Sequence, residues 1–259
     1  MALFLYFVRP SYGSWTEVLR GGYIEAWGTV IDILVVGFIL GLFTVARKRK
    51  QTIDRYLEEI DDFKRWDSKE ARLRIAGNIR RLDKLGKTDI DFSGLVLRDF
   101  SFSEEGIRSL KGSIFSHPHI IGHNPCTCLE NVKFIEVDCQ NVIFSTAENA
   151  SYAPLFSGKN LSFVGADLSG ARFDSAKLIW TKYEADALSH YGGEEPEYVP
   201  AFAGADLKNC SFRHTKLEHA DFREAQNVDE ADFTDAIGLE TCFFDEDVRD
   251  RIGARHKTD

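Results

Sequence analysis

GADLSGARFDSAKL (residues 165–178) and GADLKNCSFRHTKLEHADF (residues 204–222) set a small residue and a large apolar one on a five-residue clock. The first stretch carries Ala166-Asp167-Leu168, Ala171-Arg172-Phe173 and Ala176-Lys177-Leu178. The second carries Ala205-Asp206-Leu207, Cys210-Ser211-Phe212, Thr215-Lys216-Leu217 and Ala220-Asp221-Phe222. A helix repeats every 3.6 residues and a strand every two, so neither explains a sustained period of five. A short fixed period instead predicts a solenoid, in which each repeat buries its apolar residue by stacking on its neighbours.

The pattern resembles the pentapeptide-repeat family, A-(D/N)-L-x-x. The resemblance implies a mainly β fold, a right-handed quadrilateral β-helix with four pentapeptides per turn and the Leu/Phe and small residues pointing inward. The inward centres are then Phe163, Leu168, Phe173, Leu178, Leu207, Phe212, Leu217, Phe222 and Phe233. Fainter coils run through Phe92, Leu97 and Phe102, and through Leu129, Phe134, Cys139 and Phe144. There the small residue is often larger: Ile90, Leu95, Val132, Val137 and Val142. The solenoid is expected over 89–244, about four to five coils, with a one-residue slip near Asn227-Val228 making a small bulge. Interruptions at 103–128, 145–160 and 179–200 are expected to leave from corners and build a binding surface. Residues 103–110 suit a short helix, and 245–259 a C-terminal cap and tail with a helix over 245–252.

Residues 1–88 read differently. Trp27–Ala46 is apolar but for Asp32, and its 20 residues match a bilayer core of about 30 Å. Arg47, Lys48, Arg49 and Lys50 follow at once. That asymmetry predicts a single-pass anchor in an inner (plasma) membrane of a bacterium, with residues 1–26 outside and the solenoid in the cytoplasm. The four cations are expected at lipid headgroups. Gly37 and Gly41 have a small-xxx-small spacing that lets transmembrane helices approach. A cleaved signal peptide competes, but it needs a basic start and a short apolar region.

Residues 47–88 read as a basic linker with two amphipathic helices. The first places Ile53, Tyr56, Leu57, Ile60, Phe63 and Trp66 on one face. The second opens at the capping box Asp67-Ser68-Lys69-Glu70, turns Ala71, Ile75, Ile79 and Leu82 inward, and stops at Gly86. Ile53, Tyr56, Ile60 and Phe63 are read as a seam for self-association. The alternative is that both helices fold onto the first coil around Phe92 and Leu97.

Residues 1–88 hold 16 Lys/Arg and 11 Asp/Glu, whereas the remainder holds 16 and 30. An acidic solenoid excludes direct nucleic-acid binding. The resemblance also raises imitation of a DNA duplex toward a DNA-processing enzyme, but the simpler reading of the charge is solubility.

Five scattered cysteines imply no disulfide framework. In SHPHIIGHNPCTCLE (116–130), His117, His119, His123, Cys126 and Cys128 are zinc-type ligands. Their spacing matches no standard zinc module, and histidines in a proline-punctuated loop also serve to satisfy backbone groups. No phosphate-binding glycine loop, nucleophile elbow or H-E-x-x-H occurs. The expectation is a non-enzymatic, membrane-tethered scaffold without cofactor that binds a partner protein. A membrane-acting oligomer whose anchors associate is the alternative.

Overall fold

No proline or glycine interrupts residues 42–63, and the computed structural model accordingly continues the apolar stretch as one helix, α1, Trp15–Phe63. The structure describes residues 15–116, 126–145, 156–181 and 201–255. Two compact units, Met1–Asp54 and Arg55–Asp259, divide the chain, and the boundary falls within α1. In the first unit, the large apolar side chains between Val30 and Val45 are exposed, among them Phe38 at 68% and Phe43 at 70%. By length and composition this is one candidate membrane span.

The second unit opens with the last turns of α1 and the helix α2, Lys69–Lys84. Ser68 is its N-cap, accepting from the Ala71 amide at 3.1 Å. The box expected from Asp67 does not form: with Ser68 as cap the third helical residue is Ala71, which has no side chain to reach back, and Asp67 binds Arg98 at 3.0 Å instead. At the far end Gly86, with φ of 70°, donates to Asp83 O, and Lys87 donates to Leu82 O at 3.0 Å. That pair of bonds closes a helix when the residue after the C-cap is left-handed.

α2 buries Ala71, Ile75, Ile79 and Leu82, and Ile60 of α1 is 1% exposed. The cap is stitched to the first strand: the Val96 amide donates to Lys64 O at 2.8 Å, and Arg72 Nη1 to Arg98 O at 2.7 Å. Two backbone groups of an edge strand are thereby occupied, which protects an edge that would otherwise pair with another chain.

From residue 90 onward the chain coils. Strands β1 (Val96–Ser101), β2 (Thr127–Lys133), β4 (Phe156–Lys159), β6 (Lys177–Ile179) and β7 (Lys216–Glu218) form a parallel sheet in that order. β3 (Ile143–Ser145) and β5 (Arg172–Phe173) form a second parallel pair. Parallel bridges continue both registers, and two more, through every later coil. Each coil therefore presents four inward rows.

Two rows are phenylalanine ladders. Phe92, Phe115, Phe144, Phe173, Phe212 and Phe233 stack with centroids 4.3–5.1 Å apart. Phe102, Phe134, Phe163, Phe202, Phe222 and Phe244 stack at 4.5–5.2 Å. Rings of one ladder meet those of the other edge-on, as Phe163 and Phe173 do at 83°. Offset stacks along an axis and T-shaped contacts across it are the two arrangements that the ring quadrupole favours. Every inward centre expected from the clock is buried, from Phe92 at 0% to Phe233 at 4%.

Corners explain why the clock ticks in fives. At most corners the carbonyl of the centre accepts from the amide three residues on, as Phe163 O does from Ala166 and Leu207 O from Cys210. The third residue of such a turn is left-handed, for example Asn141, Asn209 and Gly170 at 54°, 53° and 68°. Gly and Asn reach that region at least cost.

The structure corrects the interruptions. Residues 103–116 belong to the coils: Ile107, Leu110 and Phe115 are buried, and Ser109 and Ile114 bridge Asp138 and Ile143. The helix expected over 103–110 is a turn instead, because Gly106 takes a φ of 72° and Ile107 donates back to Phe102 O. Phe156–Lys159 is strand, and Ile179–Thr181 stays bonded to the neighbouring coils. Of the three interruptions, only 117–125, 146–155 and 182–200 fall outside the described residues. Each ladder consequently has six rungs, more than the four to five coils expected. The slip at Asn227 becomes a 3-10 turn, Val228–Glu230, with Val228 buried. Helix α3, Glu246–Arg255, follows the last coil, and Arg251 there binds Asp229 at 3.1 Å.

Candidate functional site

Alternation in the five-stranded sheet decides what its outer side presents. Leu97, Leu129, Gly158, Leu178 and Leu217 are in register and point inward. Their neighbours point outward in two columns. One is Arg98, Glu130, Lys159, Ile179 and Glu218; the other is Val96, Cys128, Ser157, Lys177 and Lys216. Charges alternate along the first column. Asp67 Oδ2 lies 3.0 Å from Arg98, Arg98 Nε 3.3 Å from Glu130, and Glu130 Oε1 2.8 Å from Lys159. Lys216 meets Glu218 at 2.7 Å.

At the edge of this face, Asn131 donates to Asp99 at 2.8 Å and Asn160 to Asn131 at 3.2 Å. The Thr181 amide ends the row on Asn160 Oδ1 at 2.9 Å. Hydrogen bonds from Lys159 and Lys216 hold the Glu130 and Glu218 carboxyls below the usual range. Exposed pairs of this kind add little stability, because solvent screens them. Their effect is to fix long side chains in register on a rigid surface.

The repeat aspartates do different work from a solvated row. Asp138, Asp167, Asp206 and Asp232 each accept the amide two residues on, at 2.9–3.0 Å. Burial acts to raise the Asp167 and Asp232 carboxyls, but hydrogen bonds outweigh it: from Ser169 and Gln140 to the first, from Thr234 to the second. Both end below the usual range. Asp221, 1% exposed, is bound by Arg223. Carboxylates engaged in this way are turn-formers, not proton carriers.

The residues singled out by sequence are dispersed. His117, His119 and His123 lie outside the described residues. Cys126 is half-buried and Cys128 exposed, and both are free thiols. Burial, with the Cys128 thiol alongside, pushes the Cys126 thiol up to about 12. Cys139 and Cys210 are fully buried, and burial raises both thiols. Nothing stands within 4 Å of a Cβ built on Gly37 or Gly41. Arg47, Lys48, Arg49 and Lys50 are exposed.

The seam expected for self-association is largely covered by the chain itself. Ile60 is buried, the Tyr56 ring lies 5.6 Å from the Arg81 guanidinium, and the Phe63 ring 5.0 Å from that of Arg74. Ile53, in the first unit, is half-buried. The stripe fits because α2, itself rich in arginine, supplies guanidinium planes for the rings to pack on.

Sequence reasoning missed one complementary pair. Phe156 occupies a small-residue position and Gly158 a centre, the reverse of Ala176 and Leu178 in the next coil. A Cβ on Gly158 would stand 2.6 Å from Leu161 Cδ1 and 2.8 Å from Leu178 Cδ2. The signal available was Phe-x-Gly in register with Ala-x-Leu, legible only once the intervening residues were known to be coil.

A family model for pentapeptide repeats matches residues 202–237, in eight copies. The matched stretch lies within the coils described above. No curated protein matches it. Among solved structures, the pentapeptide repeat protein Rfr23 from the cyanobacterium Cyanothece 51142 is 13% identical over 66% of this chain and 99% of its own, with a TM-score of 0.22. HetL, a pentapeptide repeat protein involved in heterocyst differentiation regulation from the cyanobacterium Nostoc sp. strain PCC 7120, is 17% identical over 64% and 93%, at 0.18. A trypsin-treated form of QnrB1, a plasmid-mediated fluoroquinolone resistance protein, is 12% identical over 65% and 81%, at 0.20.

Proposed function

We propose that this chain is a non-enzymatic scaffold, a right-handed quadrilateral β-helix that docks a partner protein on the outer side of its five-stranded sheet. The observation that carries this reading is the registered column from Asp67 through Arg98 and Glu130 to Lys159. Side chains held by neighbours on a backbone bonded coil to coil lose little entropy when a partner lands on them. The scaffold is tethered to the inner membrane by α1, with the N-terminus outside, the solenoid in the cytoplasm and Arg47–Lys50 at the headgroups. Exposed apolar side chains from Val30 to Val45 support the tether. A second reading, association of anchors into a membrane-acting oligomer, draws on the open space at Gly37 and Gly41.

Photocrosslinking in intact cells tests the first reading. A crosslinker at Lys159 or Lys177 is expected to give one discrete adduct, and one at Asp206, on another row, none. Equal labelling from both faces, or from neither, overturns it. Growth arrest on expression that Gly37→Leu with Gly41→Leu relieves would favour the second.

A further inference from the structure

Thr127 points inward at 1% exposure, Cys128 after it is exposed, and the half-buried Cys126 before it has the Cys128 thiol alongside. Residues two apart in an extended chain have Cα atoms about 6.6 Å apart, which puts two thiols within reach of one ion. Cys128 is flanked in register by Val96 and Ser157, so its immediate strand neighbours are uncharged. The other bonds these thiols make are weak: Cys126 Sγ donates to Thr127 O at 3.3 Å and Cys128 Sγ to Cys126 O at 3.7 Å. Among the described residues no group of three or more His, Cys, Asp or Glu side chains could hold a metal. A tetrahedral ion such as zinc wants four ligands. A soft ion selected by thiolates is served by fewer.

We propose that Cys126 and Cys128 form a two-thiolate site for a soft monovalent cation, copper(I). Two S–H bonds break, two S–Cu bonds form, and both protons pass to solvent. Copper stays monovalent and nothing is oxidised. Because protons are released, apparent affinity rises with pH. Cys139, Cys210 and Cys242 are at most 2% exposed and leave the pair as the accessible thiols among the described residues.

The test is anaerobic competition between the full chain in detergent and a chromophoric copper(I) chelator. Wild type is expected to retain one equivalent. Cys126→Ser and Cys128→Ser should each weaken retention by at least about tenfold, since one thiolate leaves the pair incomplete. A variant with His117→Ala, His119→Ala and His123→Ala should retain copper as wild type does. Unchanged retention by either serine variant overturns the proposal. Loss in the histidine variant also overturns it, by showing a larger ligand set. Circular dichroism of each variant, matching wild type, excludes loss through unfolding.

Discussion

The coils before residue 160 and those after it build the same ladders from different residues. After 160, Ala166, Ala171, Ala176, Ala205, Cys210 and Ala220 sit two before a Leu or Phe. Before it, Val137 precedes Cys139 and Phe156 precedes Gly158, yet the stacking distances agree: 5.0 Å for Phe115–Phe144 and 5.0 Å for Phe173–Phe212. Those two pairs keep about the combined volume of Ala with Leu, whereas Ile90 with Phe92, Leu95 with Leu97, Val132 with Phe134 and Val142 with Phe144 enlarge it and stay buried. Close-packed interiors tolerate exchanges that conserve volume and resist those that do not.

The largest test of that equivalence removes a rung. Phe173, stacked on Phe144 at 4.3 Å and Phe212 at 5.0 Å, is fully buried. Phe173→Ala should cost about 3–5 kcal/mol in urea unfolding, and Phe134→Ala about the same. A marked difference between the two would mean that the early coils are held otherwise.

The exchanged pair gives a sharper test. Gly158→Leu alone should destabilise by about 1–3 kcal/mol through overpacking. Adding Phe156→Ala, which restores the Ala-x-Leu order, should recover most of that loss. If the double variant is no better than the sum of the singles, the volumes are not exchanged.

Corners are expected to be alike in both halves. Asn141 and Asn209 have φ of 54° and 53°. Valine at either should cost about 1–2 kcal/mol, and glycine nearly nothing, by thermal melting. Unequal costs would set one half's turns apart.

The smallest effect is with acid. Asp167, Asp232, Glu130, Glu218 and Asp89, which Lys87 binds, all have folded pKa values below their ordinary ones. A depressed folded value contributes stability that is present above the unfolded pKa and is lost as pH falls through the folded one. Melting temperature should therefore hold from neutrality to about pH 4 and decline below it. Carboxylates occur in both halves, so a loss confined to one would break the parallel.

The clock made the late coils legible because Ala-x-Leu is rigid in spacing and composition. The early centres were also readable, from Phe92 to Phe144, since a large residue every five survives when the small one does not. Residues 103–116 were not, because Leu110 has Arg108 where the clock wants a small residue and Gly106 resets the count. The cap was half-readable: the stripes of α1 and α2 were plain, but their target depends on contacts such as Val96 to Lys64 that no local pattern encodes. The outer charge column was invisible, since Arg98, Glu130 and Lys159 become neighbours only through the register.

Coils bonded only to their neighbours also have a mechanical consequence. Under tension applied at its C-terminal end, a solenoid yields one turn at a time and not all at once, as in a zip fastener. Each release should lengthen the chain by what separates successive rungs. From Phe202 to Phe222 that is 20 residues, about 70 Å of extended chain, and from Phe173 to Phe212 it is 39, about 130 Å. The length of each step would thus read out how many residues lie between the rungs that part.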